Sequence, residues 1–299
     1  MDRFEIGRLF HLTHVVGDLD AVDRWYDEVF SCVRFYHGYE ELAGRDASLV
    51  AIADLVLEPM APARGRELRN RSVQRFHDRF GEHFHSIAWY VDDVEAVARR
   101  LDEHDIRLFN IVGRQVAPDE RAPAIWTHPK ETYGQLEFAK YADYIADPRF
   151  DPDWSASRWR EHPLGIEGTS HIGIVVRDLA AATRLYCDVL GGTLFYESAV
   201  PDRKRSVFVA VGDGTVVELA EPLAATSPEG RELEHHGEGI RSVVYRTADL
   251  DRARAFLDER RLTPEHDDDD DTIVLGPVQA FGMTVGFTRR ALPDDPRYP

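Results

Sequence analysis

Hydrophobic and polar positions along the chain fall into a unit that occurs four times. Each unit is an apolar strand-like run, an aspartate-led turn, a helix with one apolar face, and further short strand-like runs. The clearest copy begins His171-Ile-Gly-Ile-Val-Val-Arg-Asp178 and continues through Tyr186 to the pair Gly191-Gly192. An earlier copy begins His11-Leu-Thr-His-Val-Val-Gly-Asp18 and continues through Tyr26, Val29 and Phe30. His11 and His171, Asp18 and Asp178, and Tyr26 and Tyr186 are each separated by 160 positions. A spacing kept without a gap marks an internal repeat. Val22, Trp25, Tyr26, Val29 and Phe30 recur at helical spacing, and Asp18 is placed to cap that helix.

The first unit spans about Leu9 to Met60, with further strands predicted at 33–39, 47–53 and 54–58. A second starts near His83, with the strand His85–Val91, a helix after Asp92-Asp93, and strands near 106–112, 123–127 and 135–140. The third is the His171 copy, and the fourth opens at Gly239 with a helix after Asp249. Between the pairs, residues 143–165 read as a proline-punctuated linker, and Trp154 and Trp159 imply that it packs against a domain. The boundaries expected are 1–142 for the first domain and 166–299 for the second. The run Asp267–Asp271 reads as a solvated loop, because five like charges in a row repel.

With 299 residues the chain is long enough for two cores. A net charge of −18 argues against nucleic acid, whose phosphates call for clustered cations. It gives no support for an anionic membrane partner either. The two cysteines, Cys32 and Cys187, are too few for a disulfide framework and read as reduced and structural. No apolar run has the length of a signal peptide or a bilayer span, so the location expected is cytoplasmic.

The motifs His11…Asp18-Leu19…Tyr26, His171…Asp178-Leu179…Tyr186…Leu190-Gly191-Gly192, Ala88-Trp89-Tyr90-Val91-Asp92-Asp93 and His128-Pro129-Lys130…Gly134 resemble the vicinal oxygen chelate superfamily of glyoxalases, epimerases, resistance proteins and extradiol dioxygenases. The resemblance covers almost the whole chain. It implies an α+β fold in which four βαβββ modules pair into two cups, each a mixed eight-stranded sheet with helices outside. It also implies a divalent metal on the cup floor (Fe, Mn, Zn, Co or Ni), held by residues of the first and last strands of each module.

In the first cup, the resemblance puts His11 and Glu137 at ligand positions, with Leu55 and Ser86 where the other two ligands would stand. A β-bulge would turn His85 inward as a third ligand. In the second cup the set is His171, Glu218, Ser242 and Gly286. His14, three residues from His11, faces the other side of a regular strand. His83, His235 and His236 read as solvent-facing. Trp89, Tyr90, Ser86 and Tyr245 are candidates to line a substrate site, Trp89, Tyr90 and Tyr245 having core packing as the competing reading.

Three functions follow from the resemblance. The first is a lyase or isomerase acting on a small oxygen-rich substrate in the N-terminal cup, with Glu137 moving a proton. The second is an extradiol ring-cleaving dioxygenase, which matches in length but lacks two of the three C-terminal ligands. The third is a metal-free protein that binds or sequesters a small molecule. The partner expected is a small molecule, with no nucleic acid and no membrane; a homodimer is left open.

Overall fold

The computed structural model describes residues 4–142, 145–267 and 270–298. Asp268 and Asp269 of the acidic run, and Asp143 and Tyr144 of the proline-punctuated stretch, lie outside the described residues.

The first unit is β1 (Ile6–Val15), α1 (Leu19–Phe30), β2 (Val33–Glu40), β3 (Arg45–Ile52) and β4 (Leu55–Pro62). After α2 (Ser72–Phe80) comes the second: β5 (His83–Val91), α3 (Val94–Asp102), β6 (Leu108–Phe109), β7 (Gln115–Val116), β8 (Ala124–Thr127) and β9 (Gln135–Ala139). A short helix, α4 (Ser157–Glu161), precedes the third: β10 (Ile166–Val175), α5 (Leu179–Arg184), β11 (Thr193–Val200), β12 (Lys204–Val211) and β13 (Thr215–Pro222). Then α6 (Pro228–His235) leads to β14 (Gly239–Thr247), α7 (Leu250–Glu259), β15 (Glu265–His266), β16 (Thr272–Leu275) and β17 (Thr284–Thr288).

All four units start their helices the same way. The carboxylates of Asp18, Asp93, Asp178 and Asp249 accept the N–H groups of Ala21, Ala96, Ala181 and Arg252. Each satisfies a donor that the first helical turn leaves free. The ends of α1 and of α5, which continues as a π-helical turn over Leu185–Val189, also match: Ser31 and Gly191, 160 positions apart, both take positive φ, at 48° and 74°. The serine accepts in the first copy a conformation that glycine adopts without strain in the third.

The first sheet has the order β2-β3-β4-β1-β5-β9-β8-β6-β7, the second β11-β12-β13-β10-β14-β17-β16-β15. The first therefore has nine strands where eight were expected, because the two-residue hairpin strand β7 adds an edge. In each sheet the two units meet at a central antiparallel pair, β1 with β5 and β10 with β14. One face of each sheet packs on its helices; the other is concave.

The helix-side core is continuous across both halves. Phe30 of α1 lies against Tyr245 and Phe287 of the second sheet, with ring centroids 5.8 and 6.3 Å apart. The Tyr26 hydroxyl donates to Met283 Sδ, and Trp89 Nε1 to Thr215 Oγ1. Trp159 is fully buried and donates to the Phe30 carbonyl, so the stretch between the halves is packed down as Trp154 and Trp159 implied.

A second repeat follows each sheet. Asp147-Pro148-Arg149-Phe150 follows the first sheet, and Asp295-Pro296-Arg297-Tyr298 the second. Arg149 pairs with Asp147 and donates to the carbonyls of Phe10 and Asp54; Arg297 pairs with Asp295 and donates to those of Ser170 and Gly214. Phe10 and Ser170, like Asp54 and Gly214, stand 160 positions apart. The two clasps flank a cavity of about 430 Å³ at the seam between the halves, away from both concave faces.

Candidate active site

On the concave face of the first sheet, His11 stands between two carboxyl groups. Its Nδ1 is 3.4 Å from Glu58 Oε2, and its Nε2 is 3.7 Å from Glu137 Oε2. All three side chains are buried. Strand register brings them together: Thr13 of β1 is opposite Glu58 of β4, and Ala88 of β5 is opposite both His11 and Glu137. The resemblance put Leu55 at the β4 position; Glu58 holds it instead. Glu58 and Glu218 are another pair 160 positions apart, and Gly173 opposite Glu218 reproduces Thr13 opposite Glu58. The offset that identified His11 and His171 therefore also pointed to Glu58.

Around this trio, Arg45 of β3 donates to Glu58 Oε1 and Glu40 Oε2, both at 2.7 Å. Trp126 Nε1 donates to Glu137 Oε2 at 2.9 Å. The hydroxyls of Thr13 and Ser86 are 2.5 Å apart, so Ser86 does point inward. Nδ1 of His11 and Oε2 of Glu58 have no hydrogen-bond partner although both are buried. Such orphaned atoms are costly unless they serve a purpose.

Burial sets the protonation states. It raises Glu58 well above the ordinary carboxyl range, against the pull of Arg45. It raises Glu137 to about 7, with Arg45 and the Trp126 hydrogen bond opposing. Burial, helped by the charges of Arg45 and Arg149, lowers the His11 imidazole well below its usual value. At neutral pH the ring is neutral, Glu58 is biased toward its protonated form and Glu137 sits near its midpoint.

This has a consequence for stability. Folded Glu137 holds its proton up to about pH 7, whereas unfolded it loses it near 4.5. In that window the folded state binds more protons, so Glu137 makes stability fall as pH rises; the cost is complete above pH 7 and absent well below 4.5. Glu137→Gln removes it. The melting temperature of the variant is expected to gain on wild type between pH 4.5 and 7.5, and a difference independent of pH would contradict the shift.

The second cup repeats the plan with different electrostatics. His171 Nε2 is 3.5 Å from Glu218 Oε2. Lys204, at the strand position equivalent to Arg45, donates to Glu218 Oε1 at 2.6 Å, and Ser206 donates to the same oxygen at 2.7 Å. Burial pushes the Glu218 carboxyl up, but Lys204 and His171 hold it well below the usual range. Gly286 lies where the first cup has Glu137, and Ser242 where it has Ser86. This carboxylate is fixed as an anion by its own lysine.

The remaining candidates are dispersed. His85 lies at a register shift between β1 and β5; its Nδ1 is 3.2 Å from Ser86 Oγ and its ring meets Phe76 of α2. Tyr90 is on the inner face, stacked on Phe10 at 4.5 Å. Trp89, its chain neighbour, points to the helix-side core and stacks on Phe138; Tyr245 is buried in the same core. Adjacent strand residues face opposite sides, so neither Trp89 nor Tyr245 lines a cup. His14 is buried between Tyr26 Oη and the Phe281 carbonyl, on the side opposite His11. His235 is exposed, but His83 is buried and His236 partly so, which corrects the solvent-facing reading of those two.

Residues 10–122 and 170–272 match the model of the Glyoxalase/Bleomycin resistance protein/Dioxygenase superfamily. The chain belongs to this superfamily. It is 33% identical over 91 residues to an ethylmalonyl-CoA/methylmalonyl-CoA epimerase of Cereibacter sphaeroides, covering 30% of this chain and 68% of that one. It is 33% identical over 75 residues to the uncharacterized protein YqjC of Bacillus subtilis, covering 25% of this chain and about half (54%) of that relative. A mutant 4-hydroxymandelate synthase from Streptomyces coelicolor has the same fold over 94% of this chain and 92% of its own, with TM-score 0.63 and 14% identity. No helix of the described residues is long and apolar enough to cross a membrane.

Members of the superfamily usually hold a divalent metal, and His11, Glu58 and Glu137 have suitable donor chemistry. Their arrangement does not fit one ion. The two carboxyl groups face different nitrogens of one ring, whose lone pairs diverge, and Arg45 holds the second oxygen of Glu58. Among the described residues, the donors of His11, Glu58, Glu137 and His85 form no converging group of three; those of His83, Glu232 and His236 do.

Proposed function

We propose that the N-terminal cup is a proton-transfer site of the isomerase or lyase kind, acting on a small oxygen-rich substrate with an acidic C–H beside a carbonyl. The observation that carries this reading is His11 held between two buried carboxyl groups, one of which titrates near neutrality. A group with its pKa near the working pH exchanges protons most effectively.

In this reading Glu137, as carboxylate, takes the α-proton of the substrate. The electron pair of the broken C–H bond moves to the carbonyl oxygen as an enolate, whose charge is stabilised by the field of Arg45 and by the hydroxyls of Thr13 and Ser86. The proton returns to the carbon from Glu137, or from His11 Nε2 as its Nδ1 takes one from Glu58. Return of the proton to the opposite face gives an epimer; collapse of the enolate with expulsion of a β-substituent, which takes up the proton from Glu137, gives elimination. Substrate entry requires α2 to shift, because Val73 and Phe76 cover the inner face beside Met60, Ala47 and Val15.

The dioxygenase reading has less support, since Ser242 and Gly286 supply no imidazole or carboxylate beside His171. A cytoplasmic location agrees with both cysteines being free.

The test is solvent-deuterium incorporation followed by NMR, using a panel of 2-oxo acids, 2-hydroxy ketones and acyl-CoA thioesters. Exchange is expected with wild type and with His171→Ala, and not with His11→Ala. Exchange lost in His171→Ala and kept in His11→Ala would move the activity to the other cup. No exchange across the panel, with a compound still bound, would favour sequestration.

A further inference from the structure

We propose that His83, Glu232 and His236 form a metal site joining the two halves of the chain, built for one divalent first-row transition ion, zinc foremost. His83 opens β5 in the first half, while Glu232 and His236 lie one turn apart at the end of α6 in the second. That i, i+4 spacing puts both on one helix face, and the fold turns that face toward His83.

The donor atoms of the three residues all lie within 4.8 Å of one another. His83 Nε2 is 2.7 Å and His236 Nδ1 is 2.9 Å from the same oxygen, Glu232 Oε1. His83 Nδ1 is 2.9 Å from the Phe84 carbonyl, and that contact places a proton on Nδ1. His83 Nε2 and His236 Nδ1 thus face one carboxylate oxygen from the two halves, and the three donors converge as the ligands of a single ion do. His236 Nδ1 is buried and lacks a well-aligned hydrogen bond despite its short distance. A backbone carbonyl on the far nitrogen of a histidine is the usual support for a metal ligand.

Two imidazoles and one carboxylate suit zinc, cobalt or iron, and the partly exposed edge of His236 leaves a fourth position open to water. The site lies outside both cups. The Phe80 ring, at the end of α2, is 6.2 Å from the His236 ring, so a bound ion would also fix that end of the helix covering the first cup.

The test is Co(II) titration of the purified, chelator-treated full-length protein, read by visible absorption and by melting temperature. One equivalent is expected to give tetrahedral d–d bands and a raised melting temperature. His83→Ala and His236→Ala are each expected to weaken binding by about 100-fold, whereas His11→Ala leaves it unchanged. His236→Asn, at a partly exposed position, gives the same reading if His83→Ala fails to fold. No Co(II) uptake by wild type, or uptake untouched by all three of these His83 and His236 variants, overturns the proposal. Loss confined to His11→Ala overturns it too, and places the ion in the cup.

Discussion

Glu137→Gln is expected to lower the solvent-exchange rate of the N-terminal cup by about 1,000-fold, within the range that general acid–base groups contribute. The amide has the shape of the carboxylate and still accepts from Trp126 Nε1, which now bonds Glu137 at 2.9 Å. It cannot take up a proton. His11 cannot replace it as base for the forward step, because burial keeps the ring's basicity well below its usual value. The variant also loses a buried, titrating carboxyl group, so at pH 7.5 it should be at least as stable as wild type. Loss of rate without loss of stability separates a chemical role from a packing role. A fall of less than about tenfold would mean that Glu137 fills space on the sheet and moves no proton.

The largest stability effect is expected at the first clasp, where Arg149→Ala should cost about 3–5 kcal/mol in chemical denaturation. Arg149 and Asp147 are 2% and 0% exposed, and their charges are 2.6 Å apart. Deleting the guanidinium leaves a buried carboxylate without its partner and strips the carbonyls of Phe10 and Asp54 of their donor. Arg297 is 15% exposed, so water compensates part of the same loss and Arg297→Ala should cost less. The double change Asp147→Asn with Arg149→Met should recover part of the loss, because no unpaired charge remains. Equal costs for Arg149→Ala and Arg297→Ala would show that burial does not set the size of the effect.

Much of the scaffold was legible in the chain because the first and third units hold one offset and all four share an aspartate-led turn. Those aspartates cap the helix of every unit, and His11 and His171 stand at equivalent points of two sheets. The β4 position follows from the same offset, since counting back from Glu218 gives Glu58, whereas the family resemblance alone points to Leu55. Trp89 was set beside Tyr90 on one face, although strand alternation allows only one of the two to face the cup. The nine-residue helix α2 has apolar residues only at Val73, Phe76 and Phe80, too sparse a stripe to stand out from a polar segment. His83 and His236 were beyond reach for another reason. They meet through packing of two halves whose relative placement no local pattern encodes.

The balance between the cups was also out of reach, since it depends on which donors meet two equally buried carboxyl groups. Arg45 and Lys204 occupy matching positions, and each bonds the β4- or β13-strand glutamate. Glu58 is nevertheless pushed up and Glu218 held down. Lysine and Ser206 both donate to the oxygen of Glu218, whereas one oxygen of Glu58 has no donor.

Proton transfer in the N-terminal cup requires a carboxyl group that titrates near neutrality beside His11. Side-chain ¹³C NMR of glutamate-labelled protein, with Glu137→Gln to assign the resonance, measures this directly. A Glu137 midpoint near pH 7 is the expected result. A midpoint at or below the ordinary carboxyl value of 4.5 would contradict it, because the group would then be fixed as an anion and unable to exchange protons at neutral pH.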